Sequence, residues 1–250
     1  MARVLVIPDT HLKTWVIDKG MELADKLFCD RVVLLGDYFD DWDAIDVSYR
    51  NMIDYLKNLM RKNPGRIIPL LGNHELSYLG HKCSGYHHYV APEVKSFLEN
   101  DNRFLWCYAE DCVLYSHAGF TREWMVRNKL MPLHVLKYHF GKINGARVCE
   151  ERFGDLKSLD QLAQCGPARG GSSPFSSPVW ADMDELLADN IGTFIQVVGH
   201  TPVQQIEFFN HCYFTDVYSN DNVSDEYLLV VDGEPKIVHY NELILGEVNV

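Results

Sequence analysis

The chain has 250 residues, 47% hydrophobic and 23% charged, proportions of a soluble globular protein that exclude a disordered or fibrous chain. Lys and Arg number 23 against 35 Asp and Glu, a formal charge of −12. A surface this acidic repels nucleic-acid backbones and anionic lipid, so neither long nucleic acids nor membranes are expected partners.

In chain order, the short apolar runs Val4–Ile7, Val32–Leu35 and Ile67–Leu71 predict buried strands. Lys19–Phe28 and Ile53–Met60, apolar at three- and four-residue spacing, predict helices between them. Strand–helix–strand–helix–strand opens an α/β domain with a largely parallel sheet. Phe104–Tyr108 and Val113–Ser116 predict a hairpin around Ala109–Cys112. Thr121–Phe140 reads as helical with a break at Pro132, and the Gly-, Ser- and Pro-rich Cys165–Pro178 reads as a loop. The acidic run from Asp182 to Glu185 predicts a helix start. Phe194–Val198, Ile206–Phe209, Tyr213–Asp216, Tyr227–Val231 and Lys236–His239 predict further strands. No repeat or linker divides the chain, which reads as one two-sheet α/β domain over residues 1–250 with a helical insertion around residues 121–165.

The first apolar run stops at Pro8-Asp9, too short for a signal peptide, and no stretch reaches the ~18 apolar residues of a membrane span. The seven cysteines are scattered, odd in number and without a CxxC pair. Reduced thiols and a cytoplasmic location are expected.

Polar punctuation falls at the strand ends: Asp9-Thr10-His11, Gly36-Asp37-Tyr38-Phe39-Asp40, Gly72-Asn73-His74-Glu75, Ser116-His117-Ala118-Gly119 and Gly199-His200-Thr201-Pro202. Ligands of α/β sheets bind beyond the carboxyl ends of strands. An inventory of carboxylate, amide and imidazole without thiolate suits divalent manganese, iron or zinc in a two-metal site. Each motif alone is a common turn, but five in order are not five independent turns.

The ordered set DxH, GDxxD, GNHE, HAG and GH resembles the calcineurin-like metallophosphoesterase superfamily. The segment Pro178-Val179-Trp180-Ala181-Asp182 and the run from His200 to Phe209 also resemble phosphoprotein-phosphatase members, and HAG with GHTP resembles bacterial and phage ones, including dinucleoside polyphosphate hydrolases. The resemblance implies a two-sheet metallophosphoesterase sandwich flanked by helices. It implies a first metal ion held by Asp9, His11 and Asp37, and a second held by Asp37, Asn73, His117 and His200, with Asp37 bridging. Manganese is the first expectation for both ions. Hydrolysis would proceed by attack of a metal-bound hydroxide, with His74 protonating the leaving oxygen and Asp40 orienting His74.

Two departures matter. Members ending in GHxH complete the first metal site with the second His, and here that position is Pro202. Phosphoprotein phosphatases carry an Arg after GDxxD that grips phosphate, and here that position is Asp41, followed by Trp42. Arg169 and Arg122 are the candidate replacements, since guanidinium suits bidentate grip on phosphate. The His81–His88 segment does not have the spacing of a structural zinc site and reads as a rim loop, with Tyr86 or His87 near the substrate. Of the tryptophans, Trp42 and Trp180 lie near motif residues. The expected activity is hydrolysis of a phosphomonoester or phosphoanhydride, on a small nucleotide-like substrate or a phosphoprotein. A phosphodiesterase and an inactive binding scaffold of the same fold are the alternatives.

Overall fold

The computed structural model describes residues 2–41, 43–81, 85–101, 103–128, 156–192, 194–219 and 224–246. The first apolar runs form β1 (Arg3–Ile7), β2 (Arg31–Leu34) and β3 (Ile67–Pro69), pairing parallel in the register Val4↔Arg31 and Val32↔Ile67. Between them lie α1 (Thr14–Lys26) and α2 (Asp46–Lys62). Both begin earlier than the sequence suggests. The buried stripe of α1 starts at Val16 and Ile17, β-branched residues with low intrinsic helix preference that packing overrides. The stripe of α2 starts at Tyr49 and continues through Met52, Ile53, Leu56 and Met60.

Two short helices follow β3 that the apolar spacing did not reveal, α3 (Asn73–Tyr78) and α4 (Ala91–Asn100). The chain at Leu105 then runs beside β3 through the bonds Leu105 N–H to Pro69 O and Leu71 N–H to Leu105 O. It crosses from there into β4 (Cys107–Glu110) and β5 (Val113–Ser116). The hairpin turn is narrower than expected. Ala109 and Glu110 belong to β4, and Asp111 and Cys112 alone make the turn, with φ of 48° and 66°. Positive φ at both residues is what a two-residue turn joining right-twisted strands requires.

Of the expected insertion, α5 (Arg122–Arg127) and α6 (Leu156–Leu162) are described; residues 129–155, with Pro132 and the predicted helix to Phe140, lie outside the described residues. The loop from Cys165 contains a single 3-10 turn at Pro167–Arg169. Asp182 then caps α7 (Met183–Ala188) by accepting the Asp184 N–H, as the acidic run predicts. The remaining strands are β6 (Ile195–Val198), β7 (Glu207–Phe209), β8 (Cys212–Phe214), β9 (Glu226–Val231) and β10 (Glu234–His239).

Two mixed five-stranded sheets result, in the orders β10-β9-β1-β2-β3 and β4-β5-β6-β8-β7. Leu5, Val33 and Leu229 of the first share one buried cluster with Val113, Tyr115 and Val197 of the second. A second cluster, built on Trp106, Phe120, Trp124 and Trp180, lies against β4 and β5. The parallel strands β1, β2 and β3 of one sheet and β5 and β6 of the other carry the five polar motifs just past their carboxyl ends. None of the described helices is long and apolar enough to cross a membrane.

Candidate metal centre

Backbone hydrogen bonds draw the motif loops together. The N–H groups of Thr10 and His11 donate to the Asp37 carbonyl at 3.2 and 2.9 Å, and that of Leu12 donates to Tyr38 O at 2.9 Å. His11, Asp37, Asp40 and His200 all have φ between 41° and 69°. This left-handed region is uncommon outside glycine, is most open to Asp, Asn and His, and recurs where side chains are aimed at a site.

Glu75 holds the arrangement from beneath. Its fully buried carboxylate accepts three backbone N–H groups: Asp37 and Gly72 at Oε2, both 2.8 Å, and Tyr38 at Oε1, 2.9 Å. The turn after β2 and the start of α3 are thereby clamped to one side chain. The Gly72 bond also satisfies an N–H at the mouth of α3, the return half of a capping box.

Asp37 sits at the middle. Its Oδ1 accepts the His74 N–H at 3.0 Å. Its Oδ2 faces Nε2 of His11 and of His74 at 3.9 Å and Nε2 of His117 at 3.3 Å. Two three-residue clusters share this carboxylate, His11–Asp37–His74 and Asp37–His117–His200, each with donor atoms within 4.8 Å of one another. Asn73 Oδ1 lies 2.9 Å from His117 Nε2, and His200 Nδ1 lies 3.1 Å from the same atom. Asp9 accepts the His200 N–H at both carboxylate oxygens, 3.1 and 3.0 Å.

The partners of each imidazole choose its free nitrogen. His11 Nδ1 donates to Asp40 O at 2.9 Å and His117 Nδ1 donates to Leu35 O at 3.0 Å. A carbonyl can only accept, so Nδ1 keeps its hydrogen and Nε2 of each is the nitrogen whose lone pair a metal takes once any proton there has left. His74 Nδ1 donates instead to Asp40 Oδ2 at 3.0 Å, and Asp40 Oδ1 accepts the hydroxyls of Tyr49 (2.8 Å) and Tyr78.

The site concentrates buried carboxylates. Asp9, Asp37 and Asp216 are each buried to within 2% of full enclosure, which is costly for a carboxylate without compensating positive charge. Burial and then the charge of Asp216 push the Asp9 carboxyl up. Burial works the same way on Asp37, but His117 and His74 outweigh it and hold its carboxyl low. In return, despite burial, Asp37 raises His74 to about 9, and Asp37 with Asp9 raises His117 to about 10. Burial and His117 push His200 down. Oxygen and imidazole donors converging on buried carboxylates fit hard or borderline divalent ions.

The family model described as calcineurin-like phosphoesterase matches residues 2–238. The chain belongs to the calcineurin-like phosphoesterase family. It is accordingly a metal-dependent hydrolase of phosphate esters. No protein among the curated sequences matches it. Among solved structures, the phosphoesterase resembles a cold-active protein-tyrosine phosphatase of a psychrophilic Shewanella species, at 20% identity and a TM-score of 0.56, over 96% of this chain and 78% of that one. A point variant of a cold-active protein tyrosine phosphatase aligns at 19% identity and a TM-score of 0.58, with the same coverage. At these identities the likeness is one of fold.

The phosphoesterase site opens into a cavity of about 910 Å³, lined by Asp9, His11, Asp37, Asn73, His74 and His200, with Asp40, Asp41, Tyr86, His87 and Trp180 at its walls. Trp42 and residues 82–84 lie outside the described residues. Arg169 lines the cavity, but its Nε pairs with Asp182 at 2.8 Å and its terminal nitrogen donates to Thr201 Oγ1 at 2.7 Å. Arg122 does not line it: it opens α5, where its N–H donates to Asp189 O at 2.8 Å. Two residues that the sequence reading passed over do line it, Lys13 and Asp216. Lys13 lies two residues past the DxH motif, where its position is a sequence signal. Asp216 stands in no motif.

Proposed function

We propose that this phosphoesterase hydrolyses phosphomonoesters or phosphoanhydrides at a two-metal centre in which Asp9, His11 and Asp37 hold one ion and Asp37, Asn73, His117 and His200 the other. The observation that carries it is the Asp37 carboxylate, shared by two clusters of imidazoles. An anionic group with two usable oxygens suits a bridge. Manganese is the ion we expect, with iron or zinc accepted by the same donors. Bound divalent ions would supply the Lewis acidity that polarises phosphoryl oxygens and makes a water nucleophilic at neutral pH.

The protein's own residues then act on the proton and the anion. His74 Nδ1 keeps its hydrogen on Asp40, so the proton the imidazolium can give up is the one at Nε2, in a side chain that lines the cavity. With its pKa raised to about 9, it is protonated at neutral pH and suited to deliver that proton to a leaving oxygen. Asp40 orients it and is itself fixed by Tyr49 and Tyr78.

Substrate anion recognition falls to Lys13 as well as Arg169. Arg169 shares its charge with Asp182. Lys13 Nζ donates to a carbonyl, Tyr218 O, at 2.9 Å, and makes no ion pair among the described residues, so its full charge is available to a phosphate. The cavity is far larger than a phosphate group, which suits a nucleotide or the side chain of a phosphoprotein as readily as a small ester.

Turnover of mono- and bis-nitrophenyl phosphate by the manganese-loaded protein tests this reading, with phosphotyrosine peptides and nucleotides as the next substrates. Faster hydrolysis of the bis-ester would overturn the monoester preference in favour of a phosphodiesterase. No hydrolysis of either with both ions bound would identify a binding scaffold.

A further inference from the structure

Asp216 is a buried carboxylate that the proposed centre does not use. It lies two residues past the end of β8, is 1% exposed, and lines the same cavity as Asp9, His11 and Pro202. Its Oδ1 has no hydrogen-bond partner. Its position is built rather than incidental. The Asp216 carbonyl accepts the Val203 N–H at 2.9 Å, while the neighbouring Thr215 donates both its N–H and its hydroxyl to Val198 O at 2.8 Å. These bonds bind the residue to the end of β6 and to the turn that carries His200.

The chain thus encloses two carboxylates, Asp9 and Asp216, on the wall of one cavity. Enclosed carboxylates are costly without positive charge, and a divalent ion beside them relieves both. The first ion is also the one short of donors. Asp9, His11 and Asp37 are its three protein ligands, and the turn after His200 supplies a proline at position 202. Asp216, like Asp9, stands outside the two tight three-residue clusters; with Asp9, His11 and Asp37 taken as the ion's ligands, its carboxylate is left for a water on that ion.

We propose that Asp216 is a further residue of the first ion's site, its unpartnered oxygen accepting a hydrogen bond from a water on that ion, on the side that Pro202 leaves without a donor. The inference rests on the binuclear reading above. It makes Asp216 a positioning residue for the metal, and outer-sphere carboxylates of this kind commonly contribute about 10- to 100-fold to metal affinity.

The test compares the full chain with Asp216→Asn by manganese titration calorimetry, electron paramagnetic resonance and thermal melting without metal. The wild type should bind two ions and give the spectrum of an exchange-coupled pair. Asp216→Asn should hold one ion with unchanged affinity and the other at least about tenfold more weakly, so that at limiting manganese its spectrum is that of a single ion. Its metal-free form should melt no lower than the wild type, because Oδ1 has no hydrogen bond to lose. Asp216→Ser, smaller and uncharged, repeats the comparison should the amide disturb packing. Equal affinities for both ions in all three proteins, or equal destabilisation with and without metal, overturns the inference alone. A wild type that binds fewer than two ions overturns the binuclear reading and the inference together.

Discussion

The Glu75 carboxylate accepts the backbone N–H of Asp37 at 2.8 Å, across 38 residues of chain. Asp37, the proposed bridging ligand, is therefore placed by its backbone as well as by its own side-chain contacts. Glu75→Gln keeps the shape but offers only one accepting oxygen, while the native side chain meets N–H groups at both. The amide NH₂ must oppose at least one of them. Loss of about 2–3 kcal/mol of stability is expected for a buried donor left facing another donor, together with weaker metal binding because Asp37 and Asn73 lose their common support. Chemical denaturation of the metal-free protein checks the first effect. Unchanged stability would mean that the three bonds contribute nothing net.

His74→Asn should separate leaving groups. A nitrophenolate departs without help, whereas an alkoxide needs the proton that His74 holds over the cavity. The substitution should cost about a hundredfold or more on an alkyl phosphate and about tenfold or less on nitrophenyl phosphate, within the usual range for general acid catalysis. Equal losses on both substrates would exclude His74 as the acid and leave it a structural neighbour of Asp37.

Most residues of the candidate site were legible in the sequence because they lie within a few residues of strand ends, and apolar runs mark strand ends well. The same locality explains what was missed. Glu75 stands inside the Gly-Asn-His-Glu motif, yet its bonds to residues 37 and 38 exist only once β2 and β3 are paired. Asp216 reaches Asp9 only through the pairing of β8 with β6 and the packing of one sheet on the other. Arg122 is near the HAG turn in sequence, yet it opens α5 and is not among the residues that line the cavity. The early start of α1 was hidden by β-branched Val16 and Ile17, whose burial against the sheet outweighs their local preference.

Lys13→Met should weaken the grip on the anion while leaving the metal ligands intact. A charge-assisted hydrogen bond contributes about 1.5–3 kcal/mol, so KM for a phosphomonoester should rise about 10- to 100-fold with a smaller change in kcat. Inhibition by inorganic phosphate should weaken in parallel. A lower kcat with unchanged KM would instead place Lys13 in the chemical step.

Gly72 and Gly199 leave no room for a side chain. A methyl group at Gly72 would overlap Oδ1 of Asp37, and one at Gly199 would overlap Oδ1 of Asp9. The two carboxylates are proposed ligands that could not shift without opening the centre, and cores do not deform freely. Gly199→Ala should therefore lower the number of manganese ions bound below two, and Gly72→Ala should disturb both ions through Asp37. Metal content after gel filtration reads this directly. Full loading of both variants would show that the carboxylates have other usable positions.

Metal binding should be strongly pH-dependent, in a direction fixed by His117. Burial alone would strip its proton, but Asp37 and Asp9 hold it to about 10. At neutral pH the metal-free imidazole is therefore protonated, and an ion taking its Nε2 must expel that proton. Affinity should rise by about tenfold per pH unit for each proton released, up to about pH 10. His200 adds nothing to this slope, since burial and His117 push it down and keep it neutral. Competition with a chelator at pH 6, 7 and 8 measures the slope, and proton release in weakly buffered solution counts the protons. Affinity that stays constant over that range, once the chelator's own protonation is allowed for, would remove His117 from the set of ligands.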